Sequence, residues 1–388
     1  MRKPIFRPMK KIGFLFALIL LFNCKEQPKN TSSKTSTHAK AETVEISYAE
    51  GFSITNFEDF KIVKVNSPWP KAEKEFTYVL AKKNVTLPDT LQFDQKVTIP
   101  IKKIVVTSTT HIPSLESLGQ ENTLIGFPHL DYISSEKTRA LINNGKVEEI
   151  GENEHINTEV LLNLNPDVVI GFAVEGGNKT FETVNKSGIP VVYNGDWTET
   201  DPLGKAEWIK FFGAFYNQEQ KAEEIFNEIE EEYLSAKKLA QQAENQPSVL
   251  AGSMYKDVWY LPYGNSWQAQ FIKDAKANYL YAETTGNGSI STAFESVLDK
   301  AQNADFWIAP GSFTSYEQMQ NASEHYQEFN AFQQQKIYSF AGVKGETGGV
   351  LYYELAPQRP DLVLKDLIKI FHPELLTNYE TTFFKALE

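Results

Sequence analysis

Residues 205–244 contain no proline and a single glycine, Gly213. Within them apolar side chains recur at Trp208, Phe212 and Phe215, then at Ala222, Ile225, Phe226, Ile229 and Tyr233, the spacing of one helical face. At ~1.5 Å per residue such a helix reaches ~60 Å, longer than most helices inside one domain. Asn217 is the one candidate interruption, and Pro247 marks the end. A helix of this length runs between compact bodies, so the chain divides into lobe, helix and lobe.

The flanking segments agree. Short apolar runs at 104–107, 124–127, 167–171 and 189–193 alternate with helix-like segments at 112–118, 136–144, 158–164 and 179–186. After the long helix come strand-like runs at 248–253, 278–281, 305–309 and 336–340. Helix-like runs at 267–275 and 294–301 lie between them, and a closing helix at 360–371 is stopped by Pro373. Near-continuous apolar strands with helical spacers predict parallel sheets covered on both faces. The expected fold class is therefore α/β: two Rossmann-like βα lobes (101–200 and 247–388) with parallel sheets, joined by a single long rigid helix (201–246). Residues 44–100 show partial alternation broken by Ser67-Pro68-Trp69-Pro70. They read as an N-terminal β-rich extension that pads the first lobe.

An internal echo links the two halves. Glu159-Val160-Leu161-Leu162 precedes Asp167-Val168-Val169-Ile170, and Glu295-Ser296-Val297-Leu298 precedes Asp305-Phe306-Trp307-Ile308. A glutamate in a first helical turn suits the positive end of the helix dipole. That does not explain why it recurs at the same place in both halves.

The N-terminus reads as an address. Arg2, Lys3, Arg7, Lys10 and Lys11 precede an apolar run at 12–22, too short to span a bilayer but right for a secretory signal. The run ends at Leu21-Phe22-Asn23-Cys24, which resembles a bacterial lipobox and implies lipidation at Cys24. Residues 1–23 are then the lipoprotein signal peptide. Residues 24–43, rich in Lys, Ser, Thr and Ala, are a flexible tether. The expected location is exported and lipid-anchored to a bacterial membrane, facing the periplasm.

Composition removes other classes. A net charge of −12 disfavours sequence-independent nucleic-acid binding. One cysteine excludes an internal disulfide framework, CxxC redox chemistry and a cysteine-built zinc site. No GxSxG or HExxH occurs, so no enzyme is expected. Residues 345–349 lack the Lys-Ser/Thr of a phosphate-binding loop and read as a flexible loop over a cleft. No cofactor or resident metal is expected. A receptor for a bare metal would draw on His111, His129, Asp131 and Glu346, which show no tight ligand spacing.

From Lys103 to Leu118-Gly119, through 157–171, to Gln358-Arg359-Pro360-Asp361-Leu362-Val363, the order of segments around one long helix resembles the substrate-binding proteins of ABC importers for iron chelates, haem and cobalamin. The resemblance covers roughly residues 101–372. It implies two lobes with a ligand held in the cleft between them, limited movement on binding, and delivery to an ABC permease dimer. The implied ligand is an iron chelate (siderophore or haem). The alternatives are cobalamin, or a sensor that uses the same fold without transport. In relatives one surface glutamate per lobe docks on permease arginines, and Glu159 and Glu295 match those positions.

The cleft is expected from loops at the C-terminal ends of the strands in both lobes. Their aromatics suit a flat or chelate ligand. The expected ligand-binding set is His111, Phe172, Trp197, Tyr255, Tyr260, Trp267, Phe313 and Tyr352. Trp197, Tyr255, Tyr260 and Trp267 lead it because they flank Gly and Asn turns. His111, directly after the first strand, could hydrogen-bond a ligand or meet its metal.

Overall fold

The structure is a computed structural model that describes residues 41–388 except 67, 154, 175 and 177. The signal peptide, the lipidation site Cys24 and nearly all of the tether lie outside the described residues. Among the described residues no helix is long and apolar enough to cross a membrane.

The first lobe is a five-stranded parallel sheet in the order Val191–Tyr193, Val168–Gly171, Ile104–Val106, Leu124–Phe127, Glu148–Glu149. The helices Ile112–Ser117, Glu136–Asn143, Thr158–Leu164 and Lys179–Lys186 occupy the expected segments. Glu148–Glu149 was not anticipated, because two exposed glutamates on an edge carry no apolar period.

The second lobe repeats the plan. Ile337–Ser339, Phe306–Ile308, Ser248–Ala251 and Asn278–Tyr279 follow one another in the order of the first four strands above. Lys385–Ala386 adds an antiparallel edge. The echo is therefore topological. Glu159 and Glu295 are each the second residue of the helix that leads into the equivalent strand. Asp167 and Asp305 do equivalent work: Asp167 Oδ2 accepts the N–H of Lys102 and Lys103, and Asp305 Oδ2 accepts the N–H of Ser248 at 2.7 Å. Each aspartate ties the start of one strand to the start of its parallel neighbour.

The connecting segment differs from the expected rod. It is three consecutive helices, Pro202–Glu207, Ile209–Tyr216 and Glu219–Ala240. Asn217 sits in the left-handed region at φ 55° and ends the second. A Cβ on Gly213 would stand 2.7 Å from the Ala222 Cβ, so glycine lets the second helix fold closely against the third. The continuous apolar spacing that suggests one rod instead marks two helices buried against each other. Only Glu219–Ala240, ~33 Å long at ~1.5 Å per residue, is the long helix, and the closing helix Pro360–Phe371 packs along it.

The extension is a five-stranded sheet in chain order, Glu42–Thr43, Phe52–Asn56, Phe60–Val65, Phe76–Ala81 and Gln95–Thr98. It therefore begins inside the stretch read as tether. Two buried carboxylates fasten it. Glu207 accepts the N–H groups of Ser47, Tyr48 and Ala49 at 2.8–2.9 Å. Glu199 accepts those of Glu50 and Gly51 and the indole N–H of Trp208. The sheet shares one hydrophobic core with the lobes.

Candidate functional site

Parallel strands deliver their C-terminal ends to one edge of each sheet, and the loops leaving that edge form a crevice. Here that crevice holds a run of three cavities. The first, about 320 Å³, has Thr107, Phe127, Tyr132 and Phe172 from the first lobe facing Val350 and Tyr353 from the second. The second, about 280 Å³, is lined by Tyr260, Gln268, Tyr352 and again Tyr353. The third, about 480 Å³, shares Gln268, Gly288 and Ser289 with the second and adds Trp197 and Trp267.

Five of the eight expected ligand contacts thus line the run: Phe172, Trp197, Tyr260, Trp267 and Tyr352. Tyr352 does so as part of the core, 3% exposed and stacked on Phe340 at 4.1 Å. The other three lie elsewhere. His111 is wholly buried against Phe212. Burial pushes its pKa down, against the opposing charge of Asp196. Tyr255 is 67% exposed at the end of a hairpin. Phe313 packs on Tyr326.

The hairpin explains the tyrosines. Ser253–Tyr255, Val258–Pro262 and Ser289–Ala293 form an antiparallel sheet where only a loop after a strand was expected. Side chains alternate between its faces. Trp259 turns inward among Trp307, Tyr326 and Phe329, while Tyr260 turns out to the cavity.

Tyr353 joins two cavities, and it was passed over in favour of its neighbour. The two tyrosines are consecutive on the helix Leu351–Leu355, which buries one and exposes the other. Nothing in the local sequence says which.

The loop at 345–349 is seated on the first lobe. Thr347 Oγ1 donates to the Asp131 carbonyl at 2.8 Å. A Cβ on Gly349 would stand 2.4 Å from the Tyr132 carbonyl oxygen, so the glycine is there for close approach. Glu354 follows, 2% exposed, its carboxylate accepting the N–H groups of Ser134 and Ser135 across the crevice. Burial raises its pKa to about 7.

Lys205 braces the third cavity. Its ammonium donates to the Asp196 and Trp197 carbonyls, both at 3.0 Å, and lies over the Trp267 ring. Burial lowers its pKa to about 8, opposed by Asp196 and Glu199. Among the described residues no three His, Cys, Asp or Glu side chains are grouped to hold a metal ion. His129 and Glu152 come within 3.8 Å, but His111 lies inside the fold. The arrangement can enclose a flat, largely apolar ligand with a few polar edges.

Glu159 and Glu295 are both exposed. Each helix runs back along its parallel sheet, so each first turn lies at the cleft end of its lobe.

The family described as periplasmic binding protein matches residues 104–342. An uncharacterized lipoprotein of Methanocaldococcus jannaschii is 26% identical over 298 residues, 74% of this chain and 69% of that one. A second from the same organism is 26% identical over 97% of this chain and 96% of its own length. Among solved structures, a possible iron-binding (periplasmic solute-binding) protein from Staphylococcus epidermidis aligns with a TM-score of 0.56 at 18% identity, over 70% of this chain and 99% of its own. A periplasmic heme binding protein from Pseudomonas aeruginosa aligns with a TM-score of 0.55 at 16% identity, over 74% and 98%. These last two share the fold.

Proposed function

Because this chain belongs to the periplasmic binding protein family, whose members bind small solutes for ABC transporters and are not enzymes, we propose that it captures an iron chelate, a siderophore or haem, for an ABC permease. The observation that carries the reading is the interlobe run of cavities walled by Phe172, Tyr353, Tyr260, Trp197 and Trp267. Rings set along a crevice hold a flat conjugated or chelate ligand by burial and stacking. Aligned structures include proteins described as iron-binding and heme-binding, which supports the same class. With only Arg139 and Arg359 outside the N-terminal segment, a strongly anionic siderophore is disfavoured.

The reading includes a lipid anchor at Cys24, which fits a receptor that works beside its permease. Relatives named as lipoproteins support it. It includes docking through Glu159 and Glu295. Two carboxylates at equivalent points of a repeated fold match a two-fold partner and steer approach.

The test is tryptophan quenching of the full chain titrated with ferric hydroxamate, ferric catecholate, haem and cobalamin. Saturation by an iron probe supports the proposal, and saturation by cobalamin alone replaces it. Docking is tested by uptake in cells after Glu159→Lys and Glu295→Lys together. Uptake that survives the double reversal ends the docking assignment.

A further inference from the structure

The N-terminal sheet lies outside the family match. The family match begins at residue 104, and the Staphylococcus structure is used to 99% of its length while covering 70% of this chain. Yet the sheet reaches the crevice. Trp69 and Lys71 line the third cavity together with Trp197 and Trp267 from the two lobes.

The sheet is held rigidly there. Glu199 and Glu207 pin residues 47–51 by five backbone N–H groups, and Tyr193 donates its N–H to the Tyr78 hydroxyl at 3.0 Å. Trp69 packs edge-on against Phe76 and Tyr193 at 5.7 and 5.3 Å. Lys71 occupies the left-handed region at φ 61°, which costs a non-glycine residue energy that something must compensate. Its side chain is exposed at the cavity and has no hydrogen-bond or ion-pair partner among the described residues. Trp197, which also lines the cavity, has its indole N–H buried without an acceptor. The cavity's acidic members do not oppose a ligand oxygen equally: Glu199 is already saturated by backbone and indole donors, and Glu50 stands exposed at the rim.

We propose that the extension forms a third wall of the ligand cleft, with Trp69 and Lys71 in direct contact with a planar ligand that carries an anionic oxygen at its edge. Three indoles supply the apolar faces, and Lys71 Nζ supplies the donor. This rests on the cleft reading above and names the part of the ligand that the extension recognises. One carboxylate or phenolate is compatible with the scarcity of arginine.

The experiment titrates haem and ferric catecholate into the full chain and into Lys71→Glu, Trp69→Ala and Phe172→Ala, with thermal melting to confirm folding. Phe172 reports on the cleft apart from the extension. Lys71→Glu is expected to weaken the tighter probe about tenfold or more, equivalent to at least about 1.4 kcal/mol, with Lys71→Arg close to wild type. Trp69→Ala is expected to weaken it similarly. If Phe172→Ala loses affinity while both extension variants bind as wild type, the third wall is overturned and the cleft reading stands. If wild type binds neither iron probe, the ligand class falls, and free 2,3-dihydroxybenzoate decides the wall. Saturable quenching that Lys71→Glu abolishes supports it, and no quenching, or quenching unchanged in the variant, overturns it.

Discussion

Glu354, in the second lobe, accepts the backbone N–H of Ser134, in the first, at 2.6 Å, and that of Ser135 at 2.9 Å. The lobes are thus joined at the cleft as well as through the helix Glu219–Ala240. Rotating them apart would leave a buried carboxylate without its donors, which costs more than the bonds contribute when made. The contact opposes hinge-type opening and favours a cleft already shaped for its ligand.

Burial of the same side chain makes stability depend on pH, with the two N–H donors opposing the shift. Folded Glu354 keeps its proton to about pH 7, whereas the unfolded side chain releases it near 4.5. The folded state therefore binds more protons in that window. The contribution is fully present below about pH 4.5 and is lost as pH rises through about 7, by up to about 3 kcal/mol. Glu354→Gln should flatten this slope in urea titrations between pH 5 and 8. It should also lower stability by about 1–3 kcal/mol throughout, because its amide nitrogen faces an N–H donor.

His111 acts in the opposite direction. Its pKa lies below the ordinary 6.5, so the unfolded chain takes up the proton first. Its contribution is present above pH 6.5 and is lost as pH falls through the folded value. His111→Leu should raise the melting temperature at pH 5 relative to that at pH 7.5. An unchanged pH dependence would contradict the buried, neutral imidazole.

Phe172 and Tyr353 line the crevice, whereas Tyr255 and Phe313 do not. Phe172→Ala and Tyr353→Ala should each weaken the best-binding probe about tenfold or more, whereas Tyr255→Ala and Phe313→Ala should stay within about threefold of wild type. Quenching titrations of the four variants decide it.

Glu207 is fully buried, accepts three backbone N–H groups of the extension and pairs with Lys210 at 3.0 Å. Glu207→Ala leaves the Lys210 ammonium buried without its counter-charge, and a loss of about 3–5 kcal/mol is expected. Urea denaturation measures it. Proteolysis should cut between residues 41 and 51 first.

Asp167 and Asp305 make matching contacts in separate lobes. Each substitution by alanine should cost about 1–2 kcal/mol, and the double variant should show the sum, since neither shares a partner with the other. A double variant that departs from the sum by more than about 0.5 kcal/mol would mean that the lobes couple through their strand starts.

Much of this was legible in the chain. Apolar runs separated by helical segments state a parallel α/β sheet because strands buried on both faces need apolar side chains throughout. The recurrence at Glu159 and Glu295 stated that the plan is used twice. The periodicity of 205–244 correctly announced helix, but it could not distinguish one exposed rod from two helices packed on each other. Both bury the same apolar face, and the difference lies in Asn217 and the Gly213–Ala222 contact.

Local pattern by itself determined the two lobes and the apolar strands at their centres, because those follow from which side chains avoid water. Tertiary structure alone decided which aromatics enter the crevice. Tyr352 and Tyr353 are adjacent and chemically identical, and only packing against Phe340 makes one core and the other cleft wall. It also brought Trp69 beside Trp197 and Trp267, far apart in sequence, through carboxylates whose backbone partners no local pattern reveals. Burial of a side chain is settled by contacts distant along the chain, and those exist only once the lobes and the extension have closed on one another.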